Sequence, residues 1–380
     1  MPSNSLAGRM FDRAAALALQ DALPRLAGLP TERLEAIRAG ASFSAVEFEA
    51  LCRALAVDPA AMYRGEDAQP ERIPTRFRTA MVSEHPSGDD LRLLALAVEQ
   101  GRILGHLIQQ LGRTVRVQDG REIRPPEGPR ETWREGYQLG ERARDALRIL
   151  PGPLTDLDAV LRDCGAHVAR VAMTSTAIDG ASIWEPGAVP IILLNTRGRR
   201  YGHPGAVRAT LAHELCHLLH DVGDRNLTTQ VSWGVEGTGN FAEAVEVRAR
   251  AFAPAFLAPP PGIRQWHGAL PRRVKSKPSS LVKAMAEHWG LSFEGAAWHA
   301  KNCDLLEADV ASAIAARSGP WVNLARFEPR PAYLPLSQLH PGLPEEAADI
   351  WKGTATDIVL DALDEGHITL DRARELLTWS

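Results

Sequence analysis

The segment His213-Glu214-Leu215-Cys216-His217 constrains this chain more than any other part of it. It sets two imidazoles four residues apart with a carboxylate beside the first. At about 100° per residue, positions i and i+4 of a helix lie about 40° apart on one face, so both rings reach one cation. The carboxylate stands next to them, where it holds and deprotonates a water instead of ligating the metal. A helix is therefore demanded here, of the kind that a zinc-hydrolase site requires. With 12 His in 380 residues, the pattern arises by chance in roughly a few percent of such chains, so its surroundings must carry the rest.

The surroundings agree. Val189 to Asn195 (VPIILLN) is a continuous apolar, β-branched run and reads as a buried strand. A glycine-containing loop, 198–205, leads to Ala206–Asp221 (AVRATLAHELCHLLHD), whose Leu211, Leu215, Leu218 and Leu219 form a stripe at helical spacing, with Gly223 as a stop. The competing reading is a core helix with satisfied histidines. It must account for His213, Glu214, His217 and His220 in one apolar helix, where such groups are rarely buried without partners.

A catalytic zinc site takes three protein ligands and keeps one position open. His220 falls about 20° from His213 but roughly 10 Å along the axis, so one helix does not supply all three. The next helical stretch, Phe241–Leu257 (FAEAVEVRARAFAPAFL), offers Glu243 and Glu246. A solvated helix face competes with ligation for each.

These blocks resemble the ImmA/IrrE metallopeptidases. VPIILLNTRGRR followed by VRATLAHELCHLLHD is similar to that family's strand, Asn and RxTLAHExxH. The run EVRARAFA from Glu246 to Ala253, continuing to Pro259, is similar in spacing to ExxANxFAxxLLxP. The resemblance implies a zincin-like domain holding Zn²⁺ through His213, His217 and Glu246, with Glu243 in reserve and Glu214 as general base. It also implies a cytoplasmic regulatory endopeptidase that cuts a repressor- or antitoxin-like protein. Three positions depart. His220 is one residue closer to His217 than the family's trailing His. Arg250 replaces an Asn. Pro254 sits inside the helix, where it removes a hydrogen bond and crowds the Arg250 carbonyl, so a kink is expected. Leu291–Leu306 resembles the family's helical segment after the protease core, and Asp357–Leu377 the helical end often carried by longer members.

Leu29–Gly65 has the cadence of the later helices of a Cro/Xre-type helix-turn-helix. Gly40 ends one helix, Ser44 to Glu47 reads as a capping box, and Leu51, Leu55 and Val57 supply core positions. The helix in the reader position, Thr31–Ala39, carries Glu32, Arg33, Glu35 and Arg38, with no positive excess. DNA binding demands a basic face. A degenerate module kept for protein contacts or dimerisation stands beside a working DNA reader.

The net charge of −4 argues against bulk affinity for nucleic acid but leaves room for a local patch. Arg264, Arg272, Arg273, Lys275, Lys277 and Lys283 occur with no acid between Pro259 and Ala286. The Pro and Ser there suggest an exposed loop, read first as a solvated linker and second as a strip touching substrate or DNA. Four scattered Cys fit a reducing cytosol, and Cys216, about 100° from His217 around the helix, is expected in the core. No signal peptide is evident, and no run approaches the ~18 apolar residues of a membrane span.

The expected fold is therefore α+β: a zincin-like metallopeptidase domain with a small mixed sheet, flanked by helix-turn-helix-like and helical regions. Residues 1–68 form the Xre-like module, 69–145 a helical segment (Asp89–Leu111) and flexible linker (Gly112–Thr132), 146–310 the peptidase domain, and 311–380 a mainly helical end. An extended substrate is expected along Val189–Asn195, with Tyr201, His203 or His220 as candidate oxyanion donors and homo-oligomers left open; for His220, a hydrogen bond supporting a ligand or a surface position is preferred to metal ligation. Two rivals stand beside the peptidase: a DNA-binding transcriptional regulator whose zinc domain is a sensor or structural module, and an interaction scaffold without turnover.

Overall fold

The computed structural model describes residues 5–65, 86–115, 132–185, 187–220, 229–233, 240–317, 322–327 and 334–380; side chains from 221 to 243 lie outside the description. The architecture is α+β, mostly helical around a small mixed sheet.

Five short helices come first: α1 (Leu6–Ala16), α2 (Leu23–Ala27), α3 (Thr31–Arg38), α4 (Ala45–Ala54) and α5 (Pro59–Arg64). They enclose a core that includes Met10, Leu34, Ile37, Leu51, Leu55 and Met62. The capping box is present: the Glu47 N–H donates to Ser44 Oγ at 3.2 Å, and the Ser44 N–H to the Glu47 carboxylate at 2.8 Å. Buried Arg13 donates to the Leu55 and Ala56 carbonyls, where the end of α4 leaves acceptors without helical partners. On α3, Arg33 is committed to Glu47 at 2.6 Å and to the Ser42 carbonyl.

The body of the molecule has three layers. After α6 (Gly88–Gln110), α7 (Thr132–Ala146) and α8 (Leu157–Asp163) come β1 (His167–Val171), β2 (Ile178–Ile183) and β3 (Ile191–Asn195). Then follow α9 (Pro204–His220), β4 (Thr229–Trp233) and α10 (Asn240–Leu257). The sheet order is β1-β3-β2-β4, with β1 parallel to β3 and β2 antiparallel to both its neighbours. Ile191 and Leu193 of β3 face the layer containing α6; Ile192 and Leu194 face the layer containing α9 and α10. A strand buried on both faces reads as an unbroken apolar run. Being central, β3 pairs along Ile191–Asn195 with β1 and along Ile191–Leu194 with β2, so the expected pairing of a substrate along Val189–Asn195 is overturned: neither edge of the strand is open.

Two pairs of glycines set how closely the layers approach. A Cβ on Gly101 or Gly105 of α6 would stand 2.6 Å from the Val189 carbonyl oxygen and 2.2 Å from that of Gly187. A Cβ on Gly136 or Gly140 of α7 would stand 2.3 Å from the Arg248 carbonyl oxygen and 2.8 Å from that of Phe252, both on α10. Only glycine permits such backbone contact.

Beyond α10 the chain forms α11 (Pro260–Ala269), α12 (Arg272–Lys275), α13 (Pro278–Trp289), α14 (Phe293–Asn302) and α15 (Ala308–Ala315). The exposed loop expected for 259–286 is thus helical. Pro260 and Pro278 stand in the first turns of α11 and α13, where the missing N–H costs nothing and the fixed φ favours starting a helix. Pro254 does not end α10 either; the helix continues to Leu257. Of the expected linker Gly112–Thr132, residues 116–131 lie outside the description.

The chain closes with α16 (Leu336–Leu339), α17 (Thr354–Asp364) and α18 (Leu370–Thr378), which pack with α6 and the sheet around buried Trp351. Polar ties join this end to the rest. Gln100 and His167 both donate to the Ile350 carbonyl, at 2.6 and 2.9 Å. Arg372 pairs with Asp58, the cap of α5.

Candidate metal centre

The metal-side layer is built on α9. Gly205 lets its first turn press against the start of α14, where a Cβ would lie 2.4 Å from the Ser292 nitrogen. Buried Arg208 then donates to the Gly290 and Leu154 carbonyls at 3.1 and 2.6 Å, and its guanidinium lies 4.4 Å from the Phe327 ring centre. Leu211, Leu215, Leu218, Leu219 and, as expected, Cys216 fill the core on one side. Thr210 and Glu214 face β2, while His213 and His217 face α10.

The structure brings His213, His217 and Glu246 together. The two Nε2 atoms are 3.0 Å apart, and each is 3.3 Å from an oxygen of the Glu246 carboxylate. Ligand atoms held about 2.0–2.2 Å from a tetrahedral zinc lie about 3.3–3.6 Å from one another, so this triangle is close to the size of one face of such a site. The ring planes are 76° apart, with both Nε2 atoms turned towards the Glu246 carboxylate. Burial pushes the Glu246 carboxyl up, but the hydrogen-bonding imidazoles pull it further, below the ordinary carboxylate range. Two imidazoles and one carboxylate form the described group able to hold a metal ion.

Glu214 is fully buried and occupies space that β2 leaves open. A Cβ on Gly180 would lie 3.1 Å from Glu214 Oε1 and 3.0 Å from Thr210. The ladder between β2 and β4 shifts register between Ile178 and Gly180. Asn195 brackets this region with four hydrogen bonds. Its oxygen accepts from the Met173 and Arg197 N–H groups, each at 3.0 Å, and its nitrogen donates to the Ser175 and Ile178 carbonyls, each at 2.7 Å. Sequence reasoning gave no role to Gly180 or Asn195; a glycine inside a strand was the available signal of close approach. Asp179 was missed as well. It is buried beside the shift, its carboxyl raised by burial and partly pulled back by Arg200 and, more weakly, His213.

The remaining candidates whose side chains are described are placed elsewhere. His220 stacks edge-on against Phe252 at 5.9 Å and is outside the three-ligand group. Tyr201 packs at the margin of the metal-side core. His203 is exposed, and its carbonyl accepts from the first N–H groups of α9. The Glu243 side chain lies outside the description. A cleft of about 250 Å³ between α6, α8 and α17, lined by Ile108, Ala166, Val189 and Ile358 among others, shares no residue with the site.

Residues 162–298 match the peptidase M78 family, described as an IrrE N-terminal-like domain. The match runs from the end of α8 into α14 and contains Glu214 and all three candidate ligands. It supports an ImmA/IrrE-type peptidase domain in this part of the chain. No curated protein and no solved structure matches the chain. No described helix is long and apolar enough to cross a membrane.

Proposed function

We propose that the chain is a zinc-dependent endopeptidase with His213, His217 and Glu246 as ligands and Glu214 as general base. The observation that carries the reading is the triangle of ligand atoms, 3.0 to 3.3 Å on a side, on two helices within the matched segment. A bound zinc supplies Lewis-acid polarisation of the scissile carbonyl and lowers the pKa of the attacking water. Glu214 takes the proton from that water and hands it to the departing amine. Its burial against Gly180 fixes where the proton is held. Glu246 contributes the negative charge that keeps the ligand set anionic overall.

The same reading takes the substrate to be a repressor- or antitoxin-like protein and the setting to be the cytoplasm, for which four buried free thiols are suited. The proposed organisation keeps 146–310 as the peptidase domain, with 1–68, 69–145 and 311–380 as flanking regions. For 1–68 we favour protein contacts over DNA reading, because Arg33 of α3 is committed to Glu47.

The test is Glu214→Gln in the full chain. General-base loss is expected to slow proteolysis by about 10²–10⁴-fold, with bound zinc and the circular dichroism spectrum unchanged. Substrates are sought as fragments present with the native chain and missing with the variant. Proteolysis at the native rate in Glu214→Gln would remove the proposal. Metal analysis of Glu246→Ala separately tests the third ligand.

A further inference from the structure

We propose that the helical turn formed by α12 and the adjoining ends of α11 and α13 binds the phosphate backbone of duplex DNA. From 247 to 286 the sequence contains eight Lys and Arg and no acidic residue, in a chain whose formal charge is −4. The cations of this stretch differ in what they meet. Arg248 pairs with Glu135, Lys283 pairs with Glu287, and Arg264 lies close enough to Glu141 to lower its carboxyl against the effect of burial. Arg272, Arg273 and Lys277 are exposed, and among the described residues they meet no carboxylate. Lys275 donates to the Gly268 carbonyl at 2.8 Å, which fastens α12 to the end of α11.

This is a built surface rather than a solvated linker. Prolines precede or begin α11, α12 and α13, limiting the conformations the turn gives up on binding. His267 is held below its ordinary pKa by burial and by Lys275, and His288 by burial and by Arg326. Trp266 stacks on His288, ring centres 5.3 Å apart and planes at 21°, which ties α11 to α13 beside α12.

Duplex DNA fits this face better than the alternatives. Its phosphates place one charge per about 1.7 Å of axis, a density suited to three exposed cations within six residues. A single strand would seek an open aromatic platform for its bases, and one face of Trp266 is already taken by His288. Contacts of this kind position a protein on the backbone without reading sequence.

The test is fluorescence anisotropy of the purified full chain with a labelled duplex of mixed sequence. Three phosphate contacts, from Arg272, Arg273 and Lys277, predict a loss of affinity of about fortyfold between about 50 and 200 mM salt. The variant carrying Arg272→Glu, Arg273→Glu and Lys277→Glu should bind at least about tenfold more weakly at low salt. The corresponding Gln variant should fall between, while Arg38→Glu on α3 should bind as the native chain does. Circular dichroism checks that each variant is folded. The proposal is overturned by absence of duplex binding at low salt, or by undiminished binding in the folded Glu variant. Tighter binding to duplex RNA, or to polyglutamate of equal charge, would also overturn it, by naming a different partner. None of these readouts depends on proteolysis.

Discussion

The two helical layers on either side of the sheet share a device and differ in what they bury. Gly101 and Gly105 seat α6 against the chain entering β3; Gly136 and Gly140 seat α7 against α10. On the α6 side, buried polar groups are answered by backbone. Gln100 and His167 donate to Ile350, and Asp90 accepts from the Thr174 and Ser175 N–H groups at 2.6 and 3.0 Å. On the other side, His299 behaves in the same way, with Nε2 donating to the Ala258 carbonyl and Nδ1 accepting from the Tyr137 hydroxyl. His213 and His217 do not: their ring nitrogens face each other and Glu246. What distinguishes the candidate ligand histidines is therefore what their Nε2 atoms meet, since His167 and His299 are buried just as deeply.

The two glycine contacts offer the largest test of this contrast. Gly140→Val and Gly105→Val both force a side chain into backbone, and overpacking of this kind costs about 1–3 kcal/mol or more. Both should lower the urea midpoint. Because α7 positions the helix carrying Glu246, Gly140→Val should also weaken zinc affinity, by about tenfold or more for a ligand displaced from its geometry. Gly105→Val should leave zinc affinity near native. Equal effects on zinc would erase the distinction between the layers.

The structural histidines give a smaller, pH-dependent effect. Burial pushes His167 and His299 down to about 4, partly offset in each by the bond to a carbonyl. In the unfolded chain each returns to about 6.5, so between these values the unfolded state binds protons that the fold excludes. Stability is then full above about pH 6.5 and falls as the pH drops towards 4, by up to about 3 kcal/mol per ring. His167→Gln should be less stable at pH 7 yet show a shallower decline between pH 6.5 and 4.5 in urea unfolding. A slope identical to the native one would refute the assignment.

The smallest effect is expected at the surface. Arg25 and Asp89 pair at 2.9 Å between α2 and α6 with 61% and 47% of their side chains exposed. Arg25→Ala should change stability by less than about 1 kcal/mol. A larger loss would mean that the N-terminal bundle is held to the body mainly by this pair, instead of by apolar packing such as that of Leu19 and Ala56 against α6.

Legibility followed the same division. α9 could be read because its candidate site and its packing share one period: candidate ligands at i and i+4, leucines on the core side. The capping box of α4 is similarly local. The α7 helix was missed for a physical reason. Its sequence, TWREGYQLGERARDA, is polar, and glycine costs about 1 kcal/mol relative to alanine in a helix. Contact with α10 makes those same glycines necessary. The prolines of 259–286 misled in the opposite direction, since a residue that breaks a helix interior also starts one.

By itself, the sequence determined that two imidazoles and a carboxylate would share a helix, because helical spacing is fixed by backbone geometry over five residues. It also offered Glu243 and Glu246 for the third place. Only the tertiary structure decided that Glu246 stands 3.3 Å from both rings, that Gly180 opens the space for Glu214, and that β3 is sealed on both edges. Those facts depend on contacts between segments far apart in the chain, and no local periodicity encodes the distance between two helices.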